Sequence, residues 1–492
     1  HPGVLKIYGI SKTSIELQEF AVRLIGRIMF CWFLKEKKGD TGIPLVPESI
    51  LSLEAVKENN DYYHNIIEPL FFELLNTQGR RRKPEFKVKP FNLIPYLNGG
   101  LFNPQKGDYY KYSSVTRSGS VGILSIPDSW FISFFELLSQ YNFTVDENTS
   151  YDVDLSIDPE MLGRIFENLL AEINPETGES AKKNTGSFYT PRDIVDYMVD
   201  SSLFYYLQEK TSIGTDKLNG IISYNKEDDG NSLSVKEKAH IVDALSALTI
   251  IDPACGSGAF PIGILQKVVY ILQQVDEYAE LWKNKQLKNI PSVELRKDIE
   301  AKFNRKNYDY LRKLGIIRES IFGVDIQTIA TEIAKLRCFL SLIVEEDIED
   351  DAENRGVRPL PNLEFKFITA DSLVKLDEPL ELSGQISIFE DIEHINELKR
   401  IRDEYFTADP ELRTELRFEF DRVQKTMFKE TIERYAKNPS NRYKLLSGWE
   451  PFENKATSWF DPEWMFGINN FDIVIANPPY IHLEHIKEQS SY

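Results

Sequence analysis

Near the C-terminal end of this 492-residue chain, an apolar run, Phe471-Asp472-Ile473-Val474-Ile475-Ala476, leads directly into Asn477-Pro478-Pro479-Tyr480. An amino group conjugated to a ring, such as the exocyclic one of adenine, is a poor nucleophile because its lone pair is delocalised. The amide oxygen of Asn477 and the carbonyl of Pro478 could each accept one of its N–H bonds. That favours a pyramidal nitrogen whose lone pair points at an electrophilic methyl group. The consecutive prolines fix φ and remove backbone donors, holding that carbonyl at the strand end, and Tyr480 offers a face on which a planar base could stack. A strand merely ended by prolines beside a buried tyrosine would read the same way, so the element needs a partner.

The partner lies far upstream, in Asp252-Pro253-Ala254-Cys255-Gly256-Ser257-Gly258-Ala259-Phe260. Ala247 to Ile251 is a short β-branched apolar run, Asp252-Pro253 ends it, Gly256 and Gly258 permit a tight turn, and Pro261 to Val275 has helical apolar spacing. Strand, glycine turn and helix together let backbone approach a ligand closely and offer its polar end the free N–H groups of a helix N-terminus. Any tight turn could use the two glycines, and Cys255 reads as a small residue suited to a crowded bend. Two acids extend the series. Ile321-Phe322-Gly323-Val324-Asp325 is a second strand ending in a carboxylate suited to the hydroxyls of a ribose. Phe365 to Ala370 is a third, ending at Asp371-Ser372 and suited to the edge of a base. Each acid alone would pass for a solvated strand-end cap. Four strands, each delivering a polar residue at its carboxyl end, point to an α/β doubly wound sheet and to methyl transfer from S-adenosylmethionine.

With these residues in place, the chain resembles the amino-group DNA adenine methyltransferases, N6-adenine enzymes of the gamma arrangement, as in type IIG restriction-modification enzymes. The resemblance implies a Rossmann-like methyltransferase core. It also implies a cofactor pocket made by Asp252, Ala254, Gly256, Gly258 and Phe260, by Asp325 with Ile326, and by Asp371 with Ser372, next to Asn477. Asn477, Pro478, Pro479 and Tyr480 would be the catalytic set holding a flipped adenine. Thr185 to Pro191 resembles the family's segment that closes over the methionine part of the cofactor, which assigns Phe188, Tyr189, Thr190 and Pro191 to cofactor binding. Physically, Thr190 suits an N-cap, Pro191 the first helical position, and Ile194, Val195, Met198 and Leu203 an apolar stripe. One departure stands out. A dinucleotide fold places its ribose acid about 20 residues after the glycines, whereas Asp325 stands 67 positions beyond Gly258. The charged, helix-prone stretch from Asp276 to Arg318 therefore reads as an insertion, and a second runs from about 377 to 464, with helices around Ile392 to Tyr405 and Pro410 to Tyr435. Both read as mostly solvated scaffold.

The elements ahead of the core read as a mainly helical domain over residues 1–165, with the methyltransferase domain over 166–492. Ile15 to Lys37, Asn60 to Leu75 and Pro159 to Ile173 carry helical periodicity, and Leu97 to Leu101 and the segment near Tyr109 read as irregular. With 42% hydrophobic residues the chain expects two or three cores. No run approaches a membrane span, Leu24 to Leu34 being interrupted by Arg27. Three widely spaced cysteines, Cys31, Cys255 and Cys338, argue against a disulfide framework, and His482 and His485 lack further ligands, so no metal is expected. A prokaryotic cytoplasm fits this composition.

The net charge of −19 opposes nucleic-acid binding overall, but phosphate contacts need only a local positive surface. Gly79-Arg80-Arg81-Arg82-Lys83, followed by Lys87 and Lys89, supplies one, although such runs are commonly solvated connections. Two acid-x-Lys triplets, Glu85-Phe86-Lys87 and Glu364-Phe365-Lys366, have the spacing of a nuclease but no partner acid on a matching strand. A nuclease, if the enzyme has one, is expected ahead of His1. Only 12 residues follow Tyr480, so a target recognition domain is expected outside these residues, and the segment alone is expected to hold cofactor weakly. Double-stranded DNA is the implied partner. Two alternatives stay open: methylation of a glutamine side-chain amide in a protein, and a non-catalytic DNA-binding module of a phage-defence system.

Overall fold

The computed structural model describes residues 6–7, 14–97, 100–104, 108, 124–143, 156–157, 190–223, 233–289, 293–375, 392–435, 445–446, 448–453, 455–468 and 470–478. The expected helix over Pro159 to Ile173, the pairs Phe188-Tyr189 and Pro479-Tyr480, Tyr109, His482 and His485 lie outside them. The chain divides into two compact units. One comprises residues 1–189, 339–360 and 480–492, and the other 190–338 and 361–479.

In the first unit, α1 (Ser14–Glu36), α2 (Leu53–Glu58) and α3 (Asp128–Leu138) carry the regular structure, with two short strand pairs, β1 (Lys6–Ile7) with β2 (Leu124–Ser125) and β3 (Asn142–Phe143) with β4 (Ser156–Ile157). An aromatic core fills it: Trp32 lies 5.2 Å from Phe135, Phe33 5.0 Å from Phe143, and Tyr62 5.2 Å from Phe131. Arg27, which interrupts the apolar run, is buried. It donates to Asp108 at 2.8 Å and to the carbonyls of Leu101 and Asn103. The helix expected over 60–75 forms as two π-helical segments, Tyr63–Ile67 and Pro69–Leu75. Pro69 has no N–H to continue an α-helical ladder, which accounts for the break.

In the second unit, α4 (Arg192–Thr211), α5 (Thr215–Ile222) and α6 (Val235–Ala247) precede β5 (Ile250–Asp252). The run expected as strand from Ala247 thus ends a helix before turning into β5. Then come α7 (Ala259–Val275), α8 (Glu280–Asn289), α9 (Val293–Asn304), α10 (Tyr308–Glu319), β6 (Ile321–Asp325), α11 (Thr328–Val344, assigned to this unit as far as Cys338) and β7 (Phe367–Thr369). α12 (Ile392–Tyr405), α13 (Pro410–Tyr435), α14 (Pro462–Phe466) and β8 (Ile473–Val474) complete it. The four strands form one parallel sheet in the order β7-β6-β5-β8, with Ile250 opposite Ile321 on one side and Ile473 on the other. The chain steps outward from β5 to β7 and then returns across β5 to β8. This is the reversal that defines a doubly wound α/β sheet, and in such sheets ligands bind outside the carboxyl ends of the strands at the switch point, here β5 and β8.

That reversal also explains a difference from the expected solvated scaffold. Right-handed crossovers in opposite directions must cover opposite faces of the sheet, so the chain between β7 and β8 forms one of the two packed layers. Leu398, Ile401, Tyr405, Phe420, Trp449, Trp459 and Trp464 are all buried, in one cluster with Ile251, Phe322, Val324 and Ile368 of the sheet. Phe365 alone meets Tyr405 and Phe452 edge-on and Phe420 at a tilt, at 5.4–5.6 Å, ring contacts worth about 0.5–1.5 kcal/mol each beyond area burial. The same segment covers the outer edge of β7, through bridges from Ala370 to Thr457 and from Lys375 to Phe460.

The packing phase of α4 differs as well. Val195, Val199, Leu203, Tyr206 and Leu207 are buried, while Ile194 is exposed and Met198 half-buried. What sets this phase is the close approach of α7. A Cβ built on Gly263 would fall 2.7 Å from Val195 Cγ1, so the helices meet where that side chain is absent.

Candidate active site

The end of β5 carries Asp252, only 2% exposed. Its Oδ1 accepts the Ala254 N–H at 3.1 Å, and its Oδ2 is buried with no hydrogen-bond partner among the described residues. Burial pushes this carboxyl well above its ordinary range, and the charge of Asp325 adds to the shift. The turn that follows is built by two glycines in the left-handed region, Gly256 at φ +52° and Gly258 at φ +86°. Nothing lies within 4 Å of a Cβ built on Gly256, so conformation and not crowding requires glycine there, and the space above the turn is open. At Gly258 the Cβ would fall 3.1 Å from Ala334 Cβ on α11. Gly258 caps α7 without any side-chain bond, leaving that helix start available to a ligand. Cys255 is buried in the bend, its N–H on the Val324 carbonyl at 2.9 Å, and burial pushes its thiol up. Phe260 is buried and Ala254 half-buried beside it.

Asp325 joins the turn directly, for Oδ2 accepts the Gly256 N–H at 2.9 Å and Oδ1 the Gln327 N–H at 2.8 Å. Burial raises its carboxyl, against the pull of those backbone donors. Each oxygen keeps a second acceptor site. Ile326 follows with 63% of its surface exposed, a large apolar side chain held open at the strand end. At the next strand, the Asp371 N–H donates to Thr457 at 3.0 Å, its Oδ1 accepts the Leu373 N–H at 3.0 Å, and Ser372 is half-buried. Thr457 escaped the sequence reading because it lies in the long β7–β8 connection and has no motif around it.

On the other side of β5, the register of β8 is fixed by Asp472, whose Oδ2 accepts the N–H and hydroxyl of Thr249 at 3.0 and 3.1 Å. Ile475 N–H donates to the Ile251 carbonyl at 3.0 Å, so Asn477 follows at the carboxyl end of β8, the strand next to β5. There Asn477 Nδ2 donates to Thr190 Oγ1 at 3.1 Å, and Thr190 is 8% exposed. Pro478 and Pro191 are both exposed. The structure thus brings Gly256 to Asp325 and Asn477 to Thr190. Asp371 and Asn477 stand at opposite ends of the row, three inter-strand steps or roughly 14 Å apart.

The donor set fits an extended ligand with a cationic end, hydroxyls and a flat base. The unpartnered buried oxygen of Asp252 would meet positive charge, the Asp325 carboxylate hydroxyls, and Ile326 a ring face. The acid-x-Lys triplet at 364–366 belongs to the scaffold: Glu364 accepts from Tyr405 Oη at 3.1 Å, and the half-buried Lys366 lies 3.8 Å over the Phe322 ring.

Residues 319–492 match the family described as Eco57I restriction-modification methylase. A curated protein of Methanocaldococcus jannaschii, named as a type II restriction enzyme and methyltransferase, is 28% identical over 537 residues, covering 96% of this chain and 41% of its own length. The chain therefore spans about two fifths of that relative. A solved structure of the type IIL restriction-modification enzyme MmeI in complex with DNA aligns with 66% of this chain and 35% of its own, at 15% identity and a TM-score of 0.38. The resemblance drawn from the motifs is borne out at the level of a restriction-modification methylase.

Proposed function

We propose that this chain is the methyl-transferring part of a restriction-modification enzyme that acts on duplex DNA, with S-adenosylmethionine as donor and the N6 amino group of a flipped adenine as acceptor. When bound, the cofactor supplies an electrophilic methyl on a sulfonium. The chain's residues do the rest. Asp252, the glycine turn and the start of α7 would hold the methionine end, Asp325 the ribose, and Ile326 with Asp371 and Ser372 the adenine. Asn477 and Pro478 would accept hydrogen bonds from the target amino group, biasing its lone pair toward the methyl, and the proton lost on transfer would leave to solvent. Rotating the base out of the helix costs a few kcal/mol, offset by stacking and edge contacts in the pocket.

The observation that carries this reading is the Asn477–Thr190 hydrogen bond. With its Nδ2 engaged, the amide turns the remaining polar atom, Oδ1, to a substrate that can only donate. The test is transfer of labelled methyl to duplex DNA, with the modified base identified after hydrolysis. Asn477→Ala is expected to abolish transfer while leaving cofactor affinity within a few-fold. Label on cytosine or on protein, or equal loss of cofactor binding, would overturn it.

A further inference from the structure

The basic run at 79–90 carries six basic residues and one acidic residue in a chain of net charge −19. It forms two short turns of 3₁₀ helix, Gly79–Arg81 and Pro84–Phe86, and a third, Phe91–Leu93, follows directly. Arg82, at the centre of the run, is withdrawn from the surface. Its guanidinium donates to the carbonyls of Leu74 and Ile94 at 2.8 Å, Thr77 at 3.1 Å and Phe91 at 3.3 Å. The side chain is 5% exposed, and burial lowers its pKa to about 10, leaving it charged at neutral pH. Arg82 is thus an anchor that closes the loop on four carbonyls. Around it Arg80, Arg81, Lys83, Lys87 and Lys89 are exposed. The two arms converge, since Lys87 Nζ donates to the Arg80 carbonyl at 2.9 Å. Phe86 packs edge-on against Phe91 at 5.4 Å, and Phe86 and Lys87 N–H bond back to Lys83 and Pro84. Of the nearby acids, Glu73 is engaged by Lys83 at 2.8 Å and Glu85 stands in the loop itself.

We propose that the 79–90 loop is a docking surface for the sugar-phosphate backbone of duplex DNA. The inference rests on the DNA substrate proposed above and adds the surface of this chain that would grip it without reading sequence. A flexible basic tail loses conformational freedom on binding, whereas this loop is already ordered by Arg82, so its cations meet phosphates at little further entropic cost. Among large apolar residues of the run, only Val88 is prominently exposed, at 58%, which disfavours insertion into a lipid surface. A row of exposed guanidinium and ammonium groups suits the repeating phosphates of a backbone, which fix position without reading sequence.

The experiment measures anisotropy of a labelled random-sequence duplex titrated with the full chain across a salt series. It compares wild type with a variant in which Arg80, Arg81, Lys87 and Lys89 are all changed to Gln. A control variant of equal charge change alters the exposed Lys57, Lys236, Lys288 and Lys306 to Gln. Loss of on the order of tenfold in affinity, with a salt slope shallower by about 0.9 for each phosphate contact removed, is expected in the loop variant and not in the control. Equal weakening of both variants would overturn the loop assignment while leaving the DNA reading intact. No DNA binding by wild type would remove both. In a parallel flotation with anionic phospholipid vesicles, loss of vesicle binding by the loop variant with DNA binding unchanged would replace DNA with membrane as the occupant and overturn the proposal.

Discussion

Asn477 and Thr190, 287 positions apart in the chain, share a hydrogen bond of 3.1 Å from amide Nδ2 to hydroxyl Oγ1. An asparagine amide has two polar ends of opposite character, and only the oxygen end can accept from an amino group. On the proposed function, the threonine selects the amide orientation that leaves Oδ1 for the substrate, and its own position follows from Pro191, whose carbonyl accepts the N–H groups of Ile194 and Val195.

Removing that hydroxyl is expected to matter more for turnover than for affinity. Thr190→Val should lower kcat about 100-fold by letting the amide rotate, and Thr190→Ser should stay within a few-fold of wild type. Calorimetric measurement of cofactor affinity decides the assignment. A fall in affinity as large as the fall in kcat would place the hydroxyl on the cofactor and not on Asn477.

Asp252 gives a pH-dependent prediction. Burial raises its folded-state pKa above the unfolded value of about 3.9. Below the unfolded value both states are protonated and the group is neutral for stability. As pH rises through it, the unfolded chain ionises first and the folded state loses stability until the folded pKa is passed. Asp252→Asn should thus raise the Tm of the ligand-free chain at neutral pH, with an advantage that shrinks toward pH about 4. Scanning fluorimetry over that range checks it, and a constant difference at every pH would count against the buried charge.

The close approach of α7 and α4 predicts a coupled pair. Gly263→Ala places a methyl 2.7 Å from Val195 Cγ1 and should cost about 1–3 kcal/mol by overpacking. Because α4 begins next to Thr190, turnover should fall with it. The double variant Gly263→Ala with Val195→Ala should recover part of both losses, as read by denaturant unfolding and methyl transfer. Additive losses would mean that the two sites do not communicate through this contact.

Much of the site was legible in local sequence because it rests on residues with strong intrinsic preferences. Left-handed backbone at positions 256 and 258 calls for glycine, strand ends for an acid or a proline, and a run such as Ile321 to Asp325 for extended structure. The helices Ile392–Tyr405 and Pro410–Tyr435 were equally legible from their spacing.

Other features were set by packing between distant segments. Periodicity identified α4 as a helix, but Gly263 on another helix decided that Val195 and Val199 face inward and Ile194 outward. The run at 79–90 read as a local positive surface, yet four carbonyls from neighbouring turns draw Arg82 inside. The β7–β8 connection read as mostly solvated scaffold, and only the reversal of strand order turns its aromatics onto the sheet. Composition and local spacing fixed which elements form and which chemical groups end them. The pairing of Asn477 with Thr190 was decided by the tertiary structure, because a hydrogen bond between residues so far apart exists only once β8 takes its register on β5 and α4 docks on α7.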